Sequence, residues 1–376
     1  MSTTTRLPRD LHPVAWWVWA LGLAAAASLT ANPLLLVVVV LVTATTVALR
    51  RGDHPWSRAY RVYVWLAVVV VVVRVVLRVL LGGGYDGTVL LRLPEVPLPD
   101  VVLGISLLGD VTAENVLGGL YDGLRLAALL LCVGAANALA NPKRLLKSVP
   151  PALYEVGAVL VVAITVVPQL ADSARRVHAA QRLRPGPRGR VRSLRRLLVP
   201  VLEDALERSL ALAAGMDVRG YGRRGDASAA QRRRTGALMV LGLLGVVVGT
   251  YAVLDATAPR WLALPMLLGG LAVAVLGLLS AGSRVGRSRY RPDRWRAAEV
   301  VVALSGLAAA VLAWLVSREQ PLIAYPELVA VPQLSLLALA AGLVGLVAAV
   351  AAPPPVLGAT PAPFLVGRRD REEVAA

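Results

Sequence analysis

The sequence predicts an all-α fold, namely a polytopic helical membrane protein with about eight transmembrane helices and a cytoplasmic insert after the fourth. Of the 376 residues, 57% are hydrophobic and 17% are charged, whereas a soluble domain carries about 25% charged residues. Several apolar runs reach the roughly 20 residues that a helix needs to cross a bilayer. The runs are continuous rather than short and alternating, which excludes a transmembrane β-barrel.

The apolar runs follow one another along the chain, and the first two form a hairpin around Asn32-Pro33. They lie at about 14–31, 34–49, 60–81, 116–140, 152–167, 236–254, 261–281, 297–316 and 326–351. High Arg, Ala, Val and Gly content with only two Lys is typical of a GC-rich bacterial genome. We therefore expect a multi-pass protein of a bacterial plasma membrane.

Charge distribution predicts the topology, because cytoplasmic loops carry an excess of Lys and Arg. Segment 171–235 holds 16 Arg against 6 acidic residues, and the loop at 82–115 holds 1 Arg against 5 acidic residues. If all nine runs crossed, the basic segments 141–151 and 171–235 would lie on opposite sides of the membrane. If run 152–167 does not cross, every basic cluster is cytoplasmic.

That run is also short, about sixteen residues, with Glu155 in its first turn and Pro168 at its end. We therefore predict eight crossings with both termini in the cytoplasm. The predicted parts are a four-span N-terminal bundle (1–140), a cytoplasmic or interfacial coupling-helix region (141–235) and C-terminal spans (236–376).

Two helices are predicted within the insert. The first runs from about Pro168 to Arg184, because Pro favours a first helical position and the stretch Pro185-Gly186-Pro187 stops a helix. The second runs from about Pro200 to Arg219, and Gly220 is a natural left-handed residue after a last turn. Its apolar stripe has i,i+4 spacing and comprises Leu198, Leu202, Leu206, Leu210 and Ala214.

Both predicted helices end with one Arg followed by a helix breaker. A guanidinium held at a defined helix end suits docking into an acidic groove of a partner, where its planar fork binds a carboxylate bidentately. Arg is also common at helix C-termini and at the cytoplasmic face of a membrane. Both interpretations stay open on spacing alone.

Three stretches resemble a known family. They are "HPVAWWVWALGLAAAASLTANPLLL" (12–36), "VPQLADSARRVHAAQRLR" (167–184) and "PVLEDALERSLALAAGMDVRGYG" (200–222). They resemble the transmembrane T component of energy-coupling factor (ECF) vitamin and metal transporters, a family that includes the transmembrane component of bacterial cobalt transporters. The resemblance covers about residues 10–255. The last apolar runs exceed the compact family core, and no function is assigned to them.

The resemblance implies a non-catalytic subunit of an ATP-driven importer, without a cofactor or metal of its own. Such a subunit couples two ABC-type ATPases, which bind the ATP, to a substrate-binding membrane S component within the lipid bilayer. The ATPase-docking positions are Leu183-Arg184-Pro185 and Val218-Arg219-Gly220, where Leu and Val replace the family's Ala and Pro185 replaces the first Gly. The supporting coupling-helix positions are Ala180, Gln181, Gly186, Met216, Asp217, Tyr221 and Gly222.

Other function classes lack their signatures. The chain has no G-x-x-x-x-G-K-[ST] motif, which excludes ATP hydrolysis by this chain itself, and no H-E-x-x-H or G-x-S-x-G motif. The alternative function is a self-contained secondary transporter, which should show repeats and polar residues at the membrane midplane. A membrane enzyme acting on lipid would need a cytoplasmic site rich in Asp or His. Nucleic-acid binding by the basic insert is disfavoured, because interleaved aromatic residues are lacking.

Arg74 and Arg78 stand out, because they are spaced i,i+4 inside the third apolar run. Either they extend along the helix to the membrane interface, or they pair with an acid inside the bundle or on the S component. Both interpretations stay open in the sequence.

Overall fold

The structure, a computed structural model of the chain, describes most of the sequence. The described residues are 8–53, 59–80, 87–94, 96–97, 106–107, 109–148, 154–182, 190–219, 228–255, 259–282 and 293–355. The chain divides into two compact units. Unit 1 combines Met1–Leu145 with Asp293–Ala376, and unit 2 is the intervening segment Leu146–Pro292. Unit 1 is therefore built from both ends of the chain.

The described secondary structure is helical apart from four short strands. The helices are α1 (Pro13–Ser28), α2 (Pro33–Arg50), α3 (Tyr60–Leu80), α4 (Ala113–Leu139), α5 (Pro142–Lys147), α6 (Tyr154–Arg182), α7 (Arg190–Val218), α8 (Ala229–Leu254), α9 (Arg260–Gly282), α10 (Ala297–Glu319), α11 (Pro321–Ala324), α12 (Leu336–Leu343) and α13 (Val347–Ala351). The strands are β1 (Val89–Arg92), β2 (Val96–Pro97), β3 (Ser106–Leu107) and β4 (Asp110–Thr112). The predicted all-α class is confirmed.

The first helical hairpin, α1 and α2, forms where the sequence places it. Pro33 begins α2, and the Asn32 side chain caps it by accepting a hydrogen bond of 3.0 Å from the Leu34 N–H. The same buried amide donates to the carbonyl oxygens of Ile323 and Gln333 at 2.8 and 2.9 Å. A capping residue at the turn thus also fixes the C-terminal segment of unit 1 against the hairpin.

The core of unit 1 is formed by α1, α2, α4 and the C-terminal helices. Trp19 is fully buried, and its Nε1–H donates to the Gly345 carbonyl oxygen at 3.0 Å. Helices α1 and α10 approach so closely at Gly22 and Gly306 that a Cβ on either glycine would overlap the backbone of the other helix. Helices to which the sequence assigns no function therefore complete the core of the N-terminal bundle.

Short strands lie between α3 and α4, where no strand is predicted. Strand β1 pairs with β4 and β2 pairs with β3, both antiparallel. Gly109, just before β4, has a φ of 108°, a conformation that glycine adopts at little steric cost. Strands of two to four residues are too short to show the period-2 alternation by which a strand is recognised in a sequence.

Unit 2 contains helices α6 to α9. Helices α8 and α9 pack through small residues, because a Cβ at Gly242 would meet the backbone of Ala274 and a Cβ at Gly245 would meet Gly270. Residues pointing away from this contact are exposed and apolar, among them Leu243, Leu244, Leu268 and Leu271. This pattern is typical of a helical hairpin whose outer surface contacts lipid.

Two predicted boundaries in the insert are wrong. The apolar run 152–167 and the helix predicted from Pro168 form the single helix α6, so Pro168 lies inside a helix rather than at its start. The second helix begins at Arg190 instead of Pro200, which also lies inside its helix. The proline signal is a probable boundary only, since a long helix tolerates a proline with a local kink.

By length and hydropathy, seven of the described helices could cross a membrane. They are Pro33–Arg50, Tyr60–Leu80, Ala113–Leu139, Val156–Gln181, Ala229–Leu254, Ala263–Ala281 and Ala297–Glu319, and two shorter apolar helices lie at Pro13–Ser28 and Leu336–Ala351. Because α6 continues past Pro168, the argument that its apolar run is too short to cross is wrong. The topology of eight crossings, like the division at residues 140 and 235, stays a prediction that rests on charge.

Candidate functional site

Helices α6 and α7 are joined at a carboxylate in the middle of α7. The Ser173 hydroxyl of α6 is buried and donates to Oδ2 of Asp204 at 2.5 Å. Arg208, one turn further along α7, donates to Oδ1 of Asp204 at 2.9 Å. Arg176 of α6 lies 3.6 Å from the same carboxylate. These contacts fix which turn of α6 lies against which turn of α7.

The charge of Asp204 is stabilised at this contact. The hydrogen bond from Ser173 lowers the pKa of Asp204 below its ordinary value, and Arg208 and Arg176 act in the same direction. Asp204 is therefore ionised at neutral pH and accepts hydrogen bonds only. The register of α6 against α7 therefore depends on the ionised Asp204 side chain.

The predicted docking residues follow the ends of these two helices. In the last described turns, Ala180 is exposed and Gln181 is half-buried on α6, while Met216 is half-buried and Asp217 is exposed on α7. The remaining residues of both motifs, apart from Val218 and Arg219, lie outside the described residues. They are Leu183, Arg184, Pro185, Gly186, Gly220, Tyr221 and Gly222.

The C-terminal end of α7 is exposed. Val218 is 88% exposed, and the exposed Arg219 continues the chain in a tight turn in which its N–H donates to the Met216 carbonyl oxygen at 3.1 Å. Val218 lies fourteen residues beyond Asp204, which is about 21 Å along a helix. Arg219 is thus exposed just beyond the end of α7, and a long stretch of helix separates it from the contact with α6.

One stripe of α7 is apolar and exposed. Its leucines recur at i,i+4 and are 45 to 63% exposed: Leu194, Leu198, Leu202, Leu206 and Leu210. Four of them were predicted as one face, and Ala214 of the same face is also exposed. An amphipathic helix with this pattern buries its apolar stripe against a partner or in a membrane interface.

A second cluster of charges was not predicted as a cluster. Arg144 donates from Nη2 and Nε to Oδ2 of Asp293 at 2.5 and 3.1 Å, and from Nη1 to the Asp10 carbonyl oxygen at 3.1 Å. Arg9 lies 2.7 Å from the Glu299 carboxylate, which is 1% exposed. The sequence places Arg144 in a basic cluster after the fourth apolar run and Arg9 before the first run, but their partners are 149 and 290 residues away.

His12 lies beside this cluster. Its Nδ1 accepts a hydrogen bond of 3.3 Å from the Val14 N–H and so caps α1, and its ring centroid is 5.5 Å from that of Trp295. Burial lowers the pKa of His12, against the neighbouring Asp293 carboxylate. The capping nitrogen must be unprotonated to accept, so burial and capping favour the same neutral form. Within the described residues, no three His, Cys, Asp or Glu could hold a metal ion together.

Comparisons with known proteins agree on one family. Residues 4–228, more than half of the chain, match the model of the CbiQ family, described as cobalt transport protein. A similar relative is the energy-coupling factor transporter transmembrane protein EcfT of Leuconostoc gelidum subsp. gasicomitatum. It is 27% identical over 192 residues, which cover 44% of this chain and 71% of the relative. Both α6 and α7 lie within the family match.

Proposed function

The chain belongs to the CbiQ and EcfT family of transporter transmembrane components, and from this membership we propose that it is the coupling subunit of an ATP-driven importer. In this role it links two ABC-type ATPases to a substrate-binding membrane subunit. The ATPases bind and hydrolyse ATP, and this chain transmits their motion across the α6–α7 pair. The cargo, a vitamin or a metal ion, is selected by the substrate-binding subunit.

The α6–α7 contact is the observation that carries this proposal. A coupling element has to transmit force, and a helix pair transmits force only if its register does not slip. The buried Ser173 hydroxyl and the Arg176 guanidinium on α6 both hold the Asp204 carboxylate of α7. Because this carboxylate joins the two helices, a displacement of one helix would be transmitted to the other.

Arg184 and Arg219 are the proposed contacts to the ATPases, one at each motif. Described α6 ends nine residues beyond Ser173 and α7 ends fourteen residues beyond Asp204, about 14 and 21 Å from the contact along their helices. The described ends of the two helices thus lie at different distances from the contact, which supports two separate docking positions. Two separate docking positions fit an importer that has two ATPase subunits.

The test is retention of the ATPases by single-residue variants. A hydrogen bond to a charged group contributes about 1.5–3 kcal/mol, and each 1.4 kcal/mol changes an affinity about tenfold. We therefore expect Arg184→Ala and Arg219→Ala each to weaken ATPase retention and substrate uptake by about tenfold or more. Arg219→Lys should restore only part of the affinity, because Lys cannot bind a carboxylate bidentately.

Arg195→Ala is the matched control, because Arg195 is exposed on α7, the helix that ends just before Arg219, and belongs to neither motif. Its effect should be small and should fade with added salt. Equal retention of the ATPases by all three alanine variants would show that Arg184 and Arg219 have no docking role.

A further inference from the structure

Helix α3 contacts the rest of unit 1 along one side only. Small residues of α4 lie against it, and a Cβ at Gly119 or Gly123 would come within 3.1 Å of α3. Among its described residues only Ala67 is buried. The remaining surface is apolar and at least 40% exposed, and it includes Val62, Trp65, Val68, Val72, Val73, Val76 and Leu77.

Arg74 lies within this apolar surface. Its Cβ is near Gly123 of α4, but the residue is exposed. No hydrogen bond or ion pair joins it to any other residue in the described part of the chain. It lies six residues before Leu80, the last residue of α3, so about 9 Å of helix separates it from that end. Among the described residues, therefore, no acid of this chain pairs with Arg74.

The neighbouring charges do not neutralise Arg74. Arg78, one turn closer to the helix end, lies 3.5 Å from the Asp122 carboxylate of α4. Among the described residues, the Asp122 carboxylate contacts Arg78, and no ion pair joins it to Arg74. Ionisable side chains inside a membrane almost always pair with another group or line a water-filled cavity. Within the described ranges, Arg74 therefore has no anionic partner on the exposed side of α3.

We propose that the exposed surface of α3 around Arg74 is a docking surface for a transmembrane helix of the substrate-binding membrane subunit, and that a carboxylate on that helix pairs with Arg74. This inference rests on the proposed function, because that function supplies the partner. Val73 and Leu77 flank the arginine with apolar surface suited to another membrane helix. The planar guanidinium then binds the carboxylate bidentately.

A lipid phosphate fits this surface less well. Lipid phosphates lie at the headgroup level, beyond the hydrocarbon core that an apolar helix spans. Arg78 is closer to the headgroups than Arg74, since it is only two residues from the helix end. A carboxylate on a transmembrane helix, unlike a lipid phosphate, can lie at the same depth in the membrane as Arg74.

The test uses the full chain co-expressed with the two ATPases and the substrate-binding membrane subunit of the same genome. After solubilisation, Arg74→Gln should retain at least tenfold less of that subunit than the unaltered chain, with ATPase retention unchanged. Arg74→Lys should retain an intermediate amount. The matched control is Arg92→Gln, because Arg92 is an exposed arginine in strand β1 of the same unit, and it should retain both partners.

A second measurement leaves Arg74 intact. A photo-crosslinking residue at Val73 should crosslink to the substrate-binding subunit in membranes, whether or not Arg74→Gln folds well. Equal retention by Arg74→Gln and Arg92→Gln, or no crosslink from position 73, overturns the inference while leaving ATPase docking in place. If the unaltered chain retains neither the ATPases nor the subunit, the proposed function itself fails. If Arg74→Gln alters only stabilisation by phosphatidylglycerol in nanodiscs, a lipid headgroup occupies the surface and the inference is wrong.

Discussion

At the residue scale, His12 joins three roles in one side chain. It caps α1 through Nδ1, it packs on Trp295, and it lies beside Arg144, Asp293 and Glu299. A protonated ring would place a donor where the Val14 N–H needs an acceptor, and a cation next to the Arg144 guanidinium. The neutral ring is therefore the form that fits the folded state.

This predicts a pH-dependent stability with a definite sign. Because burial lowers the pKa of His12, the unfolded chain binds more protons, and stability must rise with pH. The contribution is fully present above the ordinary histidine pKa of about 6.5 and is lost as the pH falls below it. We expect His12→Asn, which keeps a capping acceptor but does not titrate, to flatten the change in thermal midpoint between pH 7 and pH 5. An unchanged slope in that variant would assign the pH dependence to other groups.

Single residues also show what sequence reasoning could reach. The helix signals at Asn32-Pro33 were visible, and the structure uses them. The partners of Arg9 and Arg144 were not visible, because Glu299 and Asp293 are far along the chain and only tertiary packing brings them close. The positive-inside pattern explains why arginines lie in these segments, whereas the fold alone decides which acids they meet.

At the element scale, the α8–α9 hairpin depends on the absence of side chains at its contact. A Cβ at Gly245 would lie 2.7 Å from Gly270 Cα, whereas a Cβ at Gly269, in the neighbouring position of α9, would meet nothing within 4 Å. The same substitution at these two glycines therefore separates packing from helix propensity.

We predict opposite effects for the two alanine variants. Gly245→Ala forces the helices apart, and overpacking of this kind costs about 1–3 kcal/mol. Gly269→Ala gains helix propensity, worth up to about 1 kcal/mol in an exposed position. Thermal unfolding in detergent should show a lower midpoint for the first variant and an equal or higher midpoint for the second. A similar decrease in both would mean that the hairpin does not pack through Gly245.

Helix boundaries were the weaker part of the element predictions. The apolar run at 152–167 and the helix after it were found, but their continuity across Pro168 was not. Leucines 198 to 210 were placed on one face of a helix, and the structure leaves that face exposed. The spacing of the leucines in the sequence shows that they share one face of a helix. It does not show which molecule or membrane region covers that face.

At the scale of the whole molecule, charge predicts an orientation that helix length does not determine. The described part of α6 is long and apolar enough to cross a membrane, while the basic residues on both sides of its apolar run favour one side for both ends. We predict that α6 does not cross, so that residues 147 and 193 both face the cytoplasm.

Cysteine labelling measures this orientation. The chain has one cysteine, Cys132, which is buried in α4 and can be replaced by Ala to give a background without cysteine. Lys147→Cys and Ser193→Cys should then react equally with a membrane-impermeant maleimide in inverted vesicles, and neither should react in intact cells. Labelling of only one position in inverted vesicles would show that α6 crosses the membrane and that the eight-crossing topology is wrong.

The ion pair between Arg144 and Asp293 also bears on how unit 1 accommodates the long segment inserted between its two parts. Unit 1 is interrupted between Leu145 and Asp293, where the chain leaves it for unit 2 and returns. The ion pair of Arg144 with Asp293 joins these two ends of unit 1. Closing a short gap between neighbouring ends costs little loop entropy, and insertions are tolerated at such positions. Segment Leu146–Pro292 is therefore inserted at a position where the two parts of unit 1 are already joined by their own ion pair.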